Sequence, residues 1–334
     1  MRRLASVMAI IGVGLAIGAP LALGGSAVLD SLRNVGPQLF MILAGLSIVS
    51  GVAKAGKLQI LLVSLGHRLP FLRTLAITFA TDFAFLSSPA GAAGYVVNVA
   101  LLRSSGTPWT VSTTVVGAEQ ALDLVFFAVA MPIAVISALA SLAHVMPTVP
   151  GSVYVVLLTI ALLVACGLWC GRHFIVAALH NFVYAIPWFR ARQKRIGEFV
   201  SELRGQINAL INGTAKQNIA LLLLTALQWV TRYGVLWLVL LELGYQLPFG
   251  FVLVLQAVVL HLAQWTGIPA GGGSADLGLA AALGAWVTSP TMATVLLLWR
   301  FSTLYFPLIA GALSLVALTG KWRTNTIVTS ETRS

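Results

Sequence analysis

Charged side chains are scarce in this chain, since only 9% of its 334 residues are Asp, Glu, Lys or Arg. Soluble globular proteins carry roughly 25%, so this scarcity excludes an ordinary soluble domain. Hydrophobic residues make up 59% of the chain, a fraction typical of proteins that cross a membrane several times. Because the two structures that span a bilayer are helices and closed barrels, and the apolar runs here are long, we predict an all-α polytopic membrane protein.

Acidic residues are rarer still: the chain has nine acidic and twenty basic residues, and its formal net charge is +11. Such an excess of positive charge is also found in nucleic-acid-binding proteins. Here, however, the basic residues form clusters between apolar segments, which is the pattern of cytoplasmic loops. We therefore expect no nucleic-acid partner.

Cysteine and the usual catalytic motifs are nearly absent. Cys166 and Cys170 are four residues apart in one apolar segment, a spacing that suits neither a disulfide nor a metal site without further ligands. The sequence contains no HExxH, GxSxG or Walker motif and no Cys/His cluster. We expect packing cysteines, no metal, no cofactor and no enzyme activity.

The long apolar runs predict six membrane spans, at residues 4–23, 35–52, 109–142, 152–170, 218–243 and 291–318. The first could be mistaken for a signal peptide, but its length of about 20 residues matches a span better than a signal sequence. Two further apolar regions, 74–102 and 249–287, are interrupted by Pro and Gly. Their halves are too short to cross ~30 Å at 1.5 Å per residue, so we predict two re-entrant helical hairpins.

The positions of the basic clusters predict the orientation. Residues 2–3, 54–73, 103, 172–204 and 321–323 should all be cytoplasmic. This holds if hairpin 74–102 enters from the cytoplasm and hairpin 249–287 from the outside. Both termini are then cytoplasmic, in a bacterial-type plasma (inner) membrane. The predicted units are a first helix with its outer loop (1–34), a first repeat (35–142), a span with a cytoplasmic amphipathic linker (143–217), a second repeat (218–320) and a tail (321–334).

The two interrupted regions resemble each other. "SSPAGAAG" and "GIPAGGGSADLG" both contain Pro-Ala-Gly followed by a short apolar helix, and a Thr-Pro or Ser-Pro pair then opens a long helix. Inverted repeats with broken helices that meet near the middle of the bilayer are typical of transporters. The residues expected at the hairpin tips are Pro89, Gly91, Gly94, Pro269, Gly271, Gly272 and Gly273.

Polar side chains inside the membrane segments are the candidate substrate or ion pathway. Each charge costs about 2.5–3.5 kcal/mol at the centre of a membrane helix, so these side chains should face the protein interior. The candidates are Asp82, Glu119, Gln120, Asp123, Arg232, His261, Gln264, Asp276 and Arg300. Four carboxylates against two arginines give a formal charge of −2 with His261 neutral. This balance favours a headgroup that carries an amine, or proton coupling through a carboxylate with a raised pKa, over a bare phosphate.

Glu119 and Arg300 are predicted to form an ion pair, because both lie roughly 15 Å into their helices. The pair could be a structural clamp or part of the transport path. Arg232 could pair with Asp82 or with Asp123, and Asp276 is expected beside the headgroup. His261 could be a hydrogen-bonded packing residue or a proton relay.

These motifs resemble the lysylphosphatidylglycerol synthase/flippase transmembrane family. The acidic pair in "GAEQALDLVFF", the segment "GIPAGGGSADLGLAAALGAW" and the later "LLLWRFSTLYFPLIAGAL" carry the resemblance, which covers residues 4–320. The family's charged core corresponds to Glu119, Asp123, Asp276 and Arg300. Gln120 and Ala275 depart from it, because basic residues are common at these two positions.

The resemblance implies a lipid flippase, for an aminoacylated phospholipid, a glycolipid, a hopanoid or a polyprenyl lipid. No soluble aminoacyl-transferase domain is evident, so lipid synthesis is not expected. The alternative is a membrane partner that scaffolds or regulates a lipid-modifying enzyme through residues 171–217. Membrane lipids are the expected partners, and assembly into a homo-oligomer stays open.

Cysteine labelling tests the orientation. In a background without Cys166 and Cys170, Arg103→Cys and Lys194→Cys should react with a membrane-impermeant thiol reagent only from the cytoplasmic side. Tyr245→Cys, in the predicted outer loop 244–248, should react only from outside. Labelling of position 103 or 194 from the outside would contradict the predicted topology.

Overall fold

The computed structural model describes residues 14–22, 33, 35–145 and 193–331, and within these ranges the regular structure is entirely helical. The predicted all-α fold is confirmed. Four helices are long and apolar enough to cross a membrane: Pro37–Ser64, Trp109–Ala138, Ala215–Glu242 and Thr291–Thr319. The predicted span 152–170 and most of 4–23 lie outside the described residues. The chain is an integral membrane protein.

The first half consists of a long helix, a broken hairpin and a second long helix. Helix α1 is Pro37–Ser64, and the hairpin contains α2 (Phe71–Leu86), a 3₁₀ turn (Pro89–Gly91) and α3 (Ala92–Ser104). Helix α4 follows at Trp109–Val145. The hairpin arms α2 and α3 pack against each other, so this stretch folds back instead of continuing as one helix.

The second half repeats this order. After the amphipathic helix α5 (Gln193–Ile211), α6 is Ala215–Glu242. The hairpin contains α7 (Phe249–Trp265), a 3₁₀ turn (Pro269–Gly271) and α8 (Ser274–Leu283). The last span contains α9 (Ser289–Arg300), a π-helical turn (Phe301–Tyr305) and α10 (Phe306–Glu331).

The two hairpin tips share a backbone conformation as well as a sequence. Ala90 has φ 50° and ψ 19°, and Ala270 has φ 53° and ψ 16°. A non-glycine residue is uncommon in this left-handed region and costs of order 1–3 kcal/mol there. The same strained turn therefore occurs twice in the chain, and the two tips contact each other.

Helix α1 is longer than the sequence predicted. The predicted span ended at residue 52, and residues 54–73 were expected in a cytoplasmic loop. Instead, α1 continues to Ser64 and buries Lys57 completely. The helix tolerates Lys54 and Lys57 because their ammonium groups form ion pairs with carboxylates on neighbouring helices. Its last residue is Ser64, followed by the C-cap Leu65 and by Gly66, whose φ is 79°.

The π-helical turn in the last span has a local cause. Pro307 has no N–H to donate to the carbonyl of Thr303, and the Phe306 N–H bonds instead to the carbonyl of Phe301, five residues back. This turn brings Ser302 against α1, where its hydroxyl donates to the Leu43 carbonyl at 2.9 Å. The last span is thereby joined to the first half of α1.

Helices α2 and α10 approach closely at Gly311. A Cβ atom at this position would lie 2.3 Å from the carbonyl oxygen of Phe79 and 2.6 Å from Cβ of Phe83. Small residues at such crossings let two membrane helices pack backbone against backbone. The first hairpin is held against the last span by this contact.

Gly311→Ala should therefore destabilise the protein by about 1–3 kcal/mol, because the methyl group overlaps backbone that cannot yield easily. Gly45→Ala on α1 is the matched control, since no atom of the described residues lies within 4 Å of the added Cβ. Unfolding of both purified variants in detergent, followed against temperature or denaturant, measures the difference. Equal stability of the two variants would contradict the close crossing.

Candidate functional site

A cavity of about 350 Å³ lies between the two hairpins and is also lined by α1, α4 and α6. Ala90 and Gly91 from the first tip and Ala270 and Gly271 from the second tip form part of its wall. The sequence-predicted residues that line it are Asp82, Gly91, Gly94, Glu119, Gln120, Asp123, Arg232, His261, Gln264, Gly271 and Arg300. The other predicted residues, Pro89, Pro269, Gly272, Gly273 and Asp276, are absent from its wall.

Arg300 and Asp276 form a buried bidentate ion pair. Arg300 donates from Nε to Oδ1 and from Nη2 to Oδ2, both at 2.7 Å. It also donates to the carbonyls of Ala270 at 3.0 Å and Gly271 at 3.1 Å, and Asp276 accepts the Gly273 N–H at 3.0 Å. Arg300 thus satisfies backbone groups that the broken helix leaves open, and it fixes the second tip to the last span.

The predicted Glu119–Arg300 ion pair is wrong. Arg300 pairs within its own half, with Asp276, and the nearest cation to Glu119 is Lys57, whose Nζ lies 3.9 Å from Oε1. Equal depth in the membrane does not make two side chains neighbours. Asp276 is also fully buried beneath the tip instead of facing the cavity.

Two lysines of α1 form the remaining ion pairs of the site. Lys54 Nζ lies 2.6 Å from Asp82 Oδ1, and Lys57 Nζ lies 2.6 Å from Asp123 Oδ1. Asp123 also accepts a hydrogen bond from the indole N–H of Trp229 at 2.9 Å. The carboxylates proposed as partners of Arg232 are therefore paired with lysines instead.

Sequence reasoning missed both lysines because it assigned them to a loop. The signal was present in "SGVAKAGKLQILLV", where apolar residues continue on both sides of Lys54 and Lys57. With these two lysines, four carboxylates face four cations, and the buried cluster is formally neutral instead of −2. Its net charge thus gives no preference for an amine-bearing headgroup.

Arg232 is the cation of this cluster without a carboxylate partner in the described ranges. It is half-buried, lines the cavity and lies over the Trp229 ring, 6.0 Å from the ring centroid. A half-buried guanidinium with free donors is a suitable partner for a phosphate or carboxylate.

The cavity wall also contains unused hydrogen-bonding groups. Six buried side-chain atoms have no hydrogen-bond partner within the described part of the chain, and all six belong to residues that line this cavity. Buried polar groups are normally paired, so these atoms call for a polar partner that enters the cavity. They are Thr81 Oγ1, Asn98 Oδ1, Glu119 Oε1, Gln228 Oε1, Gln256 Oε1 and Trp299 Nε1.

The three remaining predicted residues lie at the exposed edge of the cavity. His261 bonds through Nδ1 to the carbonyl of Ala257 at 2.7 Å, within its own helix, which leaves its other ring nitrogen available. Gln120 accepts a hydrogen bond from the Tyr95 hydroxyl at 3.2 Å. Gln264 is exposed one turn after His261.

A double-mutant cycle tests the Arg300–Asp276 clamp. Asp276→Asn or Arg300→Gln alone should lower the free energy of unfolding by several kcal/mol, on the order of 3–5, because each strands a buried charge. The double variant should lose much less than the sum. As a comparison, the stability losses caused by Glu119→Gln and Arg300→Gln should be nearly additive. Additive losses for Asp276 and Arg300, together with non-additive losses for Glu119 and Arg300, would support the Glu119–Arg300 pair instead.

Comparison with known proteins gives two matches. The family model described as the lysylphosphatidylglycerol synthase TM region matches residues 9–311. A UPF0104 membrane protein of Archaeoglobus fulgidus is 24% identical over 263 residues, which cover 77% of this chain and 80% of that protein. The family model covers most of the chain and confirms the resemblance predicted from the motifs. The chain belongs to the lysylphosphatidylglycerol synthase transmembrane-region family.

Proposed function

We propose that this protein moves an amphiphilic lipid between the two leaflets of its membrane. The lipid headgroup passes through the cavity between the hairpin tips, and the acyl chains stay in the bilayer. The observation that carries the proposal is the set of six unpaired polar atoms, all on residues of one cavity wall. A headgroup that leaves water needs such partners, because the hydrocarbon core offers none.

The size of the cavity supports a headgroup as its occupant. At about 350 Å³ it lies at the lower end of the range of small-molecule sites, which runs from roughly 300 to 1,000 Å³. A whole lipid with two acyl chains would not fit inside. The chains must therefore leave through a gap in the wall.

We place this gap at the exposed edge of the cavity, between α4 and α7. These helices touch where Gly250 meets Ala134. Roughly three to four turns away along these helices, Gln120 on α4 and His261 and Gln264 on α7 line the cavity and are exposed within the described part of the chain. Acyl chains can extend into the bilayer at this edge while the headgroup stays inside.

The chemistry of the wall favours one class of headgroup. Five of the six unpaired atoms are oxygens, which accept hydrogen bonds from hydroxyl or amine groups. Arg232, which has no carboxylate partner among the described residues, adds a cation suited to a phosphate. A phosphate with hydroxyl or amine substituents satisfies both, and the lipid in the family's name, lysylphosphatidylglycerol, has this chemistry.

The paired hairpins suggest how the lipid crosses. The two strained Pro-Ala-Gly turns contact each other and form part of the cavity wall. Movement of one repeat against the other would expose the headgroup site to one leaflet and then to the other, as in other inverted-repeat transporters. In this proposal the protein carries out no covalent chemistry, and both of its termini are cytoplasmic in a plasma membrane.

Reconstitution with fluorescent lipids tests the proposal. Liposomes that contain the protein and phosphatidylglycerol, phosphatidylethanolamine or a glycolipid with a fluorophore on one acyl chain should expose inner-leaflet label to an external quencher faster than protein-free liposomes. Arg232→Gln should slow this movement about tenfold, the effect of losing one charge-assisted hydrogen bond.

Arg73→Gln is the matched control, because Arg73 is exposed and bonds to Ser105 away from the cavity. This variant should keep the rate of the parent protein. An unchanged rate in Arg232→Gln would remove Arg232 from the path. A parent protein that moves none of these lipids would favour the alternative, a scaffold for a lipid-modifying enzyme.

A further inference from the structure

One buried lysine lies between two carboxylates of α4. Lys57 Nζ is 2.6 Å from Asp123 Oδ1 and 3.9 Å from Glu119 Oε1. The Lys57 side chain is 0% exposed and that of Glu119 is 1% exposed. One ammonium group facing two ionised carboxylates leaves a local charge of −1 in a buried place, and a single added proton removes it.

The hydrogen bonds identify which carboxylate takes this proton. Asp123 has two hydrogen-bond donors, the ammonium of Lys57 and the indole N–H of Trp229. Glu119 Oε1 has no hydrogen-bond partner within the described residues. An ionised carboxylate there lacks the donors that its charge requires, whereas a protonated carboxyl is neutral and can itself donate.

The other charged and titratable groups around Glu119 lie on several helices, and among them Lys54, like Lys57, attracts its charge. From α1, Lys54 is bonded to Asp82 of α2 at 2.6 Å, so this pair is neutral. On α5, Glu202 bonds to Thr110, about two and a half turns before Glu119. The groups that line the same cavity from α3, α6 and α7 are Tyr95, Arg232, Tyr233 and His261.

We infer that Glu119 binds and releases a proton during each transport cycle and thereby couples lipid movement to the proton gradient. This inference rests on the proposed function. The proton comes from water that enters the cavity and adds to one Glu119 carboxylate oxygen; its release restores the ionised carboxylate.

The geometry supplies a way for this proton to change the structure. Glu119 and Asp123 are one turn apart on the same face of α4, so Lys57 has two docking positions about 6 Å apart along that helix. With Glu119 protonated, Lys57 stays on Asp123, as in the structure. With Glu119 ionised, Lys57 is drawn toward it and its bond to Asp123 weakens, which loosens the contact between α1 and α4.

Infrared spectroscopy tests the proton site without any lipid substrate. The difference spectrum of the full-length protein between acidic and alkaline buffer should contain a protonated-carboxyl band that Glu119→Gln loses. Glu202→Gln is the control, because Glu202 is an exposed acid on α5 that accepts a hydrogen bond from Thr110 away from the cavity, and this variant should keep the band. If Glu119→Gln fails to fold, Glu119→Asp should keep a band at a shifted frequency. A band unchanged in Glu119→Gln would overturn the inference.

Transport across a pH gradient tests the coupling. In liposomes with phosphatidylglycerol that carries a fluorophore on one acyl chain, an imposed gradient should change the rate or direction of label movement by the parent protein, and Glu119→Gln should lose this response. The same response in Glu119→Gln, or no response in the parent, would overturn the coupling. If the parent moves no lipid at all, the proposed function and the coupling both fail, and the infrared band alone decides whether Glu119 binds a proton.

Discussion

A charge buried in a bilayer needs a counter-charge from another element, and this constraint determines how the helices of this protein pack. Among the described residues, three ion pairs with N–O distances of 2.6 or 2.7 Å meet it: Lys54–Asp82 joins α1 to α2, Lys57–Asp123 joins α1 to α4, and Arg300–Asp276 joins α9 to α8. Breaking such a pair costs on the order of 3–5 kcal/mol. The pairs therefore connect the helices around the cavity, and in the inferred proton cycle one of them, Lys57–Asp123, is the connection that changes.

The same constraint applies to the backbone at the two tips. A helix that stops inside the membrane leaves N–H and C=O groups without partners. At the second tip, the Arg300 guanidinium donates hydrogen bonds to the carbonyls of Ala270 and Gly271. At the first tip, the Ser88 hydroxyl accepts the Ala93 N–H at 3.1 Å. Two turns with the same backbone are thus stabilised differently, one by a buried charge and one by a local hydroxyl.

Composition and motifs were enough to predict the helical membrane fold and the family, because hydrophobic length and the Pro-Ala-Gly turns are local properties. They were not enough for the ion pairs. The depth of Glu119 and Arg300 along their helices says nothing about their separation across the bilayer, and Arg300 in fact binds Asp276. Lys54 and Lys57 were assigned to a loop because the positive-inside rule places lysines outside the hydrocarbon. The four buried carboxylates already implied that two further cations were needed.

Photo-crosslinking in membranes tests most directly whether the lipid headgroup enters the cavity. A phospholipid with a photoreactive group on its headgroup, reconstituted with the protein and illuminated, should form adducts on cavity-lining residues such as Asn98, Gln228 and Gln256, which mass spectrometry can locate. Adducts confined to outward-facing residues such as Leu223 and Ile309, which are 65% and 62% exposed, with none in the cavity, would contradict the account.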